Sequence, residues 1–389
     1  MRRWLPLLLA GLLALGCAGC AKRQTVTVYR IETGGTTLLH PETVTVPGGT
    51  DPVQVALDAL GAKPGDSTCT NPVRDWLTID GSRVDDDGTL WLTVTATETV
   101  SGITRTQALA CLVLTCTALD GVTAVGDICN GTSTFPLKRK SPVHYHNFVE
   151  CFGLRAQDFT PMRTVLRECT GSGLEGSLTP HSTYSLQDAP FRAVAAESHR
   201  LSVHFMESRS EAELYRARGP LHERNLRERV TIDFAGYGSP ARRILDSVSP
   251  DRPLLLVHGT FASQQEIESL AERFGDRLSW VLCSRSNDYI EGARPPVETL
   301  RRAGVRIALG TDSLSSNETL SIVEELKMLR SVPLDEALRW ATLGGAEALG
   351  IDLWAGSFVP GKRPGAVLLG GIDFRTTTLR DDAFSRRIL

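Results

Sequence analysis

Residues 201–208 read LSVHFMES, an apolar run that ends in His204 and, three positions later, Glu207. A short run of apolar, β-branched and aromatic residues bounded by polar ones is the pattern of a buried strand. The construction recurs on both sides, in GVTAVGDIC (121–129), HYHNFVECF (144–152), LEGSLTPH (174–181), LLLVHGTF (254–261), LSWVLCSRSN (278–287) and VRIALGTDS (305–313). Helical segments separate most of these runs. Together they predict the parallel strands of a β/α barrel, which gathers its reactive side chains just past the C-terminal ends of its strands. His181, His204, His258 and Asp312 each close a run. A divalent metal needs neutral imidazoles and a carboxylate converging on one point. Barrel strand ends converge by construction.

The motifs PHSTYS (180–185), VHFMES (203–208), LLLVHGTF, CSRSN (283–287) and LGTDSLSSN (309–317), in this order, resemble the amidohydrolase superfamily. The branch they look most like is that of the cytosine, guanine and S-adenosylhomocysteine deaminases and the chlorohydrolases. PLDEALRWATLGGAEALGI (333–351) and GSFVPGKRPGAVLL (356–369) are similar to the closing helix and tail of that branch. The resemblance covers about Gly121 to Leu389. It implies one divalent metal, Zn or Fe, with His204 and Asp312 as ligands. It also implies Glu207 as the acid that protonates the substrate ring, and Asp312 as the base that takes a proton from water. His258 would hydrogen-bond the attacking hydroxide or the substrate, and His181 would touch the substrate. The implied substrate is a small amino- or chloro-substituted heterocycle, and the implied reaction is hydrolysis of a C–N bond.

In that superfamily the first barrel strand ends in His-x-His, ahead of the strand that GVTAVGD resembles. No such pair precedes Gly121 here, where His40 in LLHPET is the only histidine. His144 and His146, in SPVHYHNFVE (141–150), share one face of a strand by period two, but they come two strands late and at the start of their run. Four to six residues at ~3.3 Å each place them roughly 13–20 Å from the strand ends, against metal–ligand bonds of ~2.1 Å. They are read as structure. The fold expected is therefore α/β: an incomplete (β/α)8 TIM-like barrel without its first strand (121–355), followed by a β-sandwich remnant (356–389) and preceded by a small α+β domain (22–122).

That small domain has its own pattern. QTVTVYRIE and ETVTVP alternate as strands, DPVQVALDALGA opens as a helix on Asp51 and Pro52, and DWLTIDGSRVDDDGTLWLTVTAT reads as a strand pair. With TRTQALACLVLTCTALDGV as a last helix, the order resembles the GerMN domain of sporulation and germination lipoproteins. Asp85, Asp86 and Asp87 lack the Gly and Glu spacing of a calcium loop and are read as a solvated turn. Ahead of it, MRRWLPLLLAGLLALGCAGC has the charged, apolar and small-residue regions of an export signal (1–20). Its end resembles a bacterial lipobox, with Cys17, or else Cys20, as the acylated residue. A lipid-anchored protein facing outside the cytoplasm is the location this implies.

The net charge of −3 and the ordinary composition imply no nucleic-acid footprint. Beyond the signal the cysteines are Cys69, Cys111, Cys116, Cys129, Cys151, Cys169 and Cys283. Their odd number and irregular spacing argue against a zinc ribbon or a disulfide framework, though one bridge from Cys69 to Cys111 or Cys116 is open. Those in VECFG and WVLCS read as small core residues. Three readings follow: a lipid-anchored metal hydrolase whose ligand set is completed by another residue, an exported lipoprotein with an inactive barrel and a binding GerMN-like head, or a join of two fragments. On the ligands His204 and Asp312 alone, the expectation is substoichiometric zinc and no measurable deaminase turnover.

Overall fold

Each apolar run of the C-terminal two-thirds forms a strand. In the computed structural model, residues 122–387 are described apart from 157. N-terminal to these, 3–8, 23–32, 39–47, 58–65, 69–70, 77–84 and 89–96 are described. The second helix of the small domain, the Asp85–Asp87 turn and Cys17, Cys20, Cys111 and Cys116 lie outside the described residues.

The N-terminal strands are β1 (Arg3–Leu8), β2 (Arg23–Glu32), β3 (Leu39–Pro47), β4 (Cys69–Thr70), β5 (Leu77–Val84) and β6 (Thr89–Ala96). They form two antiparallel sheets, β1-β6-β5 and β3-β2-β4. Arg3–Leu8, inside the stretch read as a signal, is paired in register with β6. The side chain of Arg30 is fully buried and donates to the Glu42 carboxylate at 3.0 Å and to the carbonyls of Leu60 and Ala59 at 2.6 and 2.8 Å. It thereby ties β2 to the helical stretch 58–61.

The strands β7 (Ala124–Cys129), β8 (His144–Cys151), β9 (Glu175–Pro180), β10 (Leu201–Phe205), β11 (Leu254–His258), β12 (Leu278–Leu282) and β13 (Arg306–Leu309) follow one another with helices between. Both sheets they make are parallel and in chain order, β7-β8-β9 and β10-β11-β12-β13. A bridge from Ser182 to His204, with His204 N–H donating to the His181 carbonyl at 2.9 Å, joins them. β8 is buried on both faces from His146 to Cys151, as parallel strands covered by crossover helices must be. Its apolar partners Val149 and Cys151 join one core with Val203, Leu256, Trp280 and Ile307. Cys129, Cys151, Cys169 and Cys283 are free and buried, small core residues as read. Among the described residues nothing pairs with the outer edge of β7 or of β13.

Two glycines fix close approaches. Gly259 follows β11 at φ +66, and a Cβ there would stand 2.2 Å from the Trp280 indole nitrogen. Gly344, in the π-turn Trp340–Gly344, would place a Cβ 2.1 Å from the Ile307 carbonyl of β13. The chain closes with an antiparallel hairpin, β14 (Val367–Asp373) and β15 (Thr378–Arg387), bulged between Gly370 and Ile372. Leu379 and Ala383 of β15 pack into the main core. Thr123 reaches the Pro364 carbonyl at 2.9 Å, tying the start of β7 to this tail.

Candidate active site

Three strand ends bring Glu207, His258 and Asp312 together, one donor atom of each lying within 4.8 Å of the others. The backbone turns sharply there. Met206, His258 and Asp312 have φ of 48°, 74° and 56°, a left-handed conformation that side chains other than glycine adopt only when their surroundings hold them. His258 is buried. With the Asn287 amide nitrogen as donor at 3.0 Å, its Nδ1 accepts, so the ring proton sits on Nε2, 3.7 Å from Glu207 Oε1. Burial pushes the imidazole down to about 4, against the pull of Asp312 and Asn287, so it is neutral.

The two carboxyls are driven apart. Burial raises Glu207, with the His204 ring opposing it. Burial would raise Asp312 too, but hydroxyls donating from Ser316 at 2.7 Å and Ser286 at 2.8 Å outweigh it and hold the group below the usual carboxylate range.

A second group adjoins the first. Glu150 near the end of β8, His181 just past β9 and His204 on β10 also have donor atoms within 4.8 Å of one another. His204 Nδ1 donates to the His181 carbonyl at 2.9 Å, leaving the lone pair on Nε2. Glu150 Oε1 lies 3.4 Å from His204 Nδ1. That oxygen and His181 Nδ1 are buried without a hydrogen-bond partner. Asn130, in the amide orientation that satisfies both its atoms, donates to Glu150 Oε2 at 3.2 Å. The rings of His181 and His204 are 4.8 Å apart, and those of His204 and His258 stack at 5.5 Å, so an imidazole row links the groups.

His144 and His146 stand at the other end. In register His146 pairs with Glu175 and Glu150 with Thr179, a separation of four residues, or roughly 13 Å along β8. His146 shares a hydrogen bond with Ser177 Oγ at 3.0 Å, and burial with Arg200 beside it pushes the ring down to about 3. It is a satisfied core histidine. Neither residue belongs to either group.

The structure thus brings Glu207, His258 and Asp312 into one cluster and His181 with His204 into its neighbour. His204 and Asp312, the two ligand positions implied by the resemblance, fall in different groups. Sequence reasoning missed Glu150, although it nears the end of its run as His181 does. It also missed Ser286, Asn287 and Ser316, which hold Asp312 and His258. Buried and half-buried imidazoles and carboxylates, two of whose atoms are left without a hydrogen-bond partner, are a donor set that fits a divalent cation of the zinc class.

A parallel β/α fold with imidazoles and carboxylates at its strand ends defines a metal-hydrolase architecture. Residues 138–388 match the Amidohydrolase family, and the chain belongs to it. A 5-methylthioadenosine/S-adenosylhomocysteine deaminase from Pelotomaculum thermopropionicum is 31% identical over 232 residues, covering 54% of this chain and 48% of that protein. An adenosine deaminase from Helicobacter pylori is 28% identical over 252 residues, 60% of each. The chain therefore spans about half to three-fifths of the length of these curated relatives. Among solved structures, Helicobacter pylori aminofutalosine deaminase superposes with a TM-score of 0.58 at 25% identity, over 72% of this chain and 71% of that one. The same enzyme with methylthio-coformycin gives 0.58 at 24%, over 75% and 76%.

Proposed function

We propose that the C-terminal two-thirds of this chain is a metal-assisted hydrolytic deaminase site for a 6-aminopurine nucleoside, weakened in its hold on the metal. The observation that carries the reading is the meeting of Glu207, His258 and Asp312 from three strand ends within 4.8 Å. The substrate class is taken from the deaminase relatives. Phe152, exposed at the mouth with its ring 6.1 Å from His181, offers an apolar face to a planar base.

A divalent ion, when bound, lowers the pKa of its water toward neutrality. The residues that would hold it are His204 and the imidazoles and carboxylates around it. Glu207, whose protonated form burial favours, gives its proton to the substrate ring nitrogen. Asp312, kept ionised by Ser286 and Ser316, takes a proton as water adds to the ring carbon. His258, neutral with its proton on Nε2, donates to the developing charge. As the added hydroxyl becomes a carbonyl its proton restores Glu207, and the proton held by Asp312 passes to the departing amine, so the exocyclic C–N bond breaks and ammonia leaves.

The weakness follows from the sequence, which holds only His40 before Gly121, where the resemblance implies a first-strand His-x-His. No residue among those described stands in for His-x-His at the end of a strand before β7, so the wall of strands reads as an incomplete barrel. On sequence alone, the reading also takes the N-terminal part as a GerMN-like accessory domain behind an export signal acylated at Cys17 or Cys20. Among the described residues no helix is long and apolar enough to cross a membrane.

The test is ammonia release from 5′-methylthioadenosine by the full chain, with zinc content measured in parallel. As isolated, the protein is expected to carry less than one zinc per chain and to show no measurable turnover. Excess zinc should bring slow release, and Glu207→Gln should lower it by ~10²-fold or more. Zinc-saturated protein that releases no ammonia would overturn the reading.

A further inference from the structure

Resting on the deaminase reading above, we propose that Glu325 is a positioning residue: without touching the substrate, it holds the two segments that orient Asp312 and His258. Glu325 lies in the helix Ile322–Lys327 and is buried to 1% exposure. A carboxylate taken out of water needs donors for both its oxygens. Oε1 accepts from the Asn317 amide nitrogen at 2.9 Å. Oε2 accepts from the Arg285 backbone N–H at 3.2 Å. Each of these bonds leads to one of the groups in the site.

The first bond runs to Asp312. The same Asn317 nitrogen donates to the Thr311 carbonyl at 2.9 Å, and the Asn317 oxygen accepts from Arg285 Nε at 3.1 Å. Both ends of that amide are committed, and the turn from Thr311 to Asn317 is closed on Glu325. Within it Asp312 sits at φ 56°, a left-handed conformation that its surroundings must hold. Ser316, one residue before Asn317, donates to the Asp312 carboxylate at 2.7 Å. The second bond runs to His258. Arg285 is in the first turn of the helix Ser284–Glu291, whose N-cap, Cys283, makes no side-chain capping bond. First-turn N–H groups have no partner inside their own helix, and Glu325 supplies one from 40 residues away. The next two residues are Ser286, whose hydroxyl donates to Asp312 at 2.8 Å, and Asn287, whose amide donates to His258 Nδ1 at 3.0 Å. One buried carboxylate therefore joins the segments that set the base and the neutral imidazole. Supports of this kind hold reacting groups within about 0.5 Å of their working geometry.

The test reads the His258 ring by proton–nitrogen correlation NMR of the full chain, with His258→Gln identifying its signal. The wild type is expected to show one neutral form, its proton on Nε2. Glu325→Gln cannot accept from both donors. It should replace that signal with a mixture of the two tautomers while His146, at the far end of β8, is unmoved. Asn317→Asp, isosteric but without the N–H donors, should do the same, and it carries the test if circular dichroism finds Glu325→Gln unfolded. Leu326→Ala, a buried apolar loss on the same helix, should destabilise the protein to urea and leave the His258 signal as it is. With zinc in excess, Glu325→Gln should lower kcat for ammonia release ~10²-fold and move KM less than about threefold. A wild-type ring already mixed, an unchanged His258 signal or undiminished kcat in the folded variants, or the same change in Leu326→Ala would overturn the proposal. The expected NMR pattern in a wild type that releases no ammonia supports this role of Glu325 and refutes the deaminase reading alone.

Discussion

Glu207 and Asp312 share one cluster, yet burial raises the first and two serine hydroxyls lower the second. Opposed shifts of this kind separate an acid from a base in one site. His181, His204, His258 and Asp312 were legible because a polar residue closing an apolar run stands out against it. Glu150 was not, since it is followed by Cys151 and Phe152 and the run continues through it. Nor were the serines, whose role depends on contacts across 4 to 30 residues of chain.

Glu211 gives a test at the same scale. It is buried, accepts from the Thr183 hydroxyl and leaves Oε2 unpaired. Burial, against the Thr183 bond, pushes it up to about 8, while an unfolded Glu titrates near 4.3. Between about pH 4.5 and 8 the native protein keeps a proton that the unfolded chain has released. Stability therefore falls as pH rises through that window and levels off above it. Glu325, raised to about 7 by burial, acts in the same sense. Thermal melts of the wild type should lose several degrees from pH 5 to 8.5, and Glu211→Gln should lose distinctly less. Equal losses in both proteins would remove Glu211 from this account.

Among elements, the parallel strands β8 to β12 were readable because burial on both faces leaves each one rich in apolar residues. β15 was not read as a strand. Its sequence, TLRDDAFSRR, carries charges on an exposed ribbon, and its place is set by pairing with β14 rather than by its own composition. The tail, read from sequence as a β-sandwich remnant, forms a two-stranded antiparallel hairpin among the described residues. The π-turn was equally hidden, although the Gly344–Gly345 pair marks it. At Gly344 the helix lies directly on the Ile307 carbonyl. Gly344→Ala should lower stability by about 3 kcal/mol or more, because backbone must move to admit the Cβ. Urea unfolding measures this, and a loss below about 1 kcal/mol would mean that β13 and this helix are not packed as described.

For the molecule as a whole, the strands advance in chain order from β7 to β13 and their C-terminal ends meet in two adjoining clusters. The early imidazole pair expected of the family has no counterpart among the described residues, and His144 and His146 lie at the opposite end of β8. The adjacency of Glu150 to His204 was beyond the sequence because it depends on β8 and β10 being brought together through β9. Crystals of the full chain soaked in zinc and measured across its absorption edge would locate the ion directly. The account predicts one anomalous peak at the strand ends, beside His204 and the imidazoles and carboxylates around it. A peak between His144 and His146, or none at the strand ends, would contradict it.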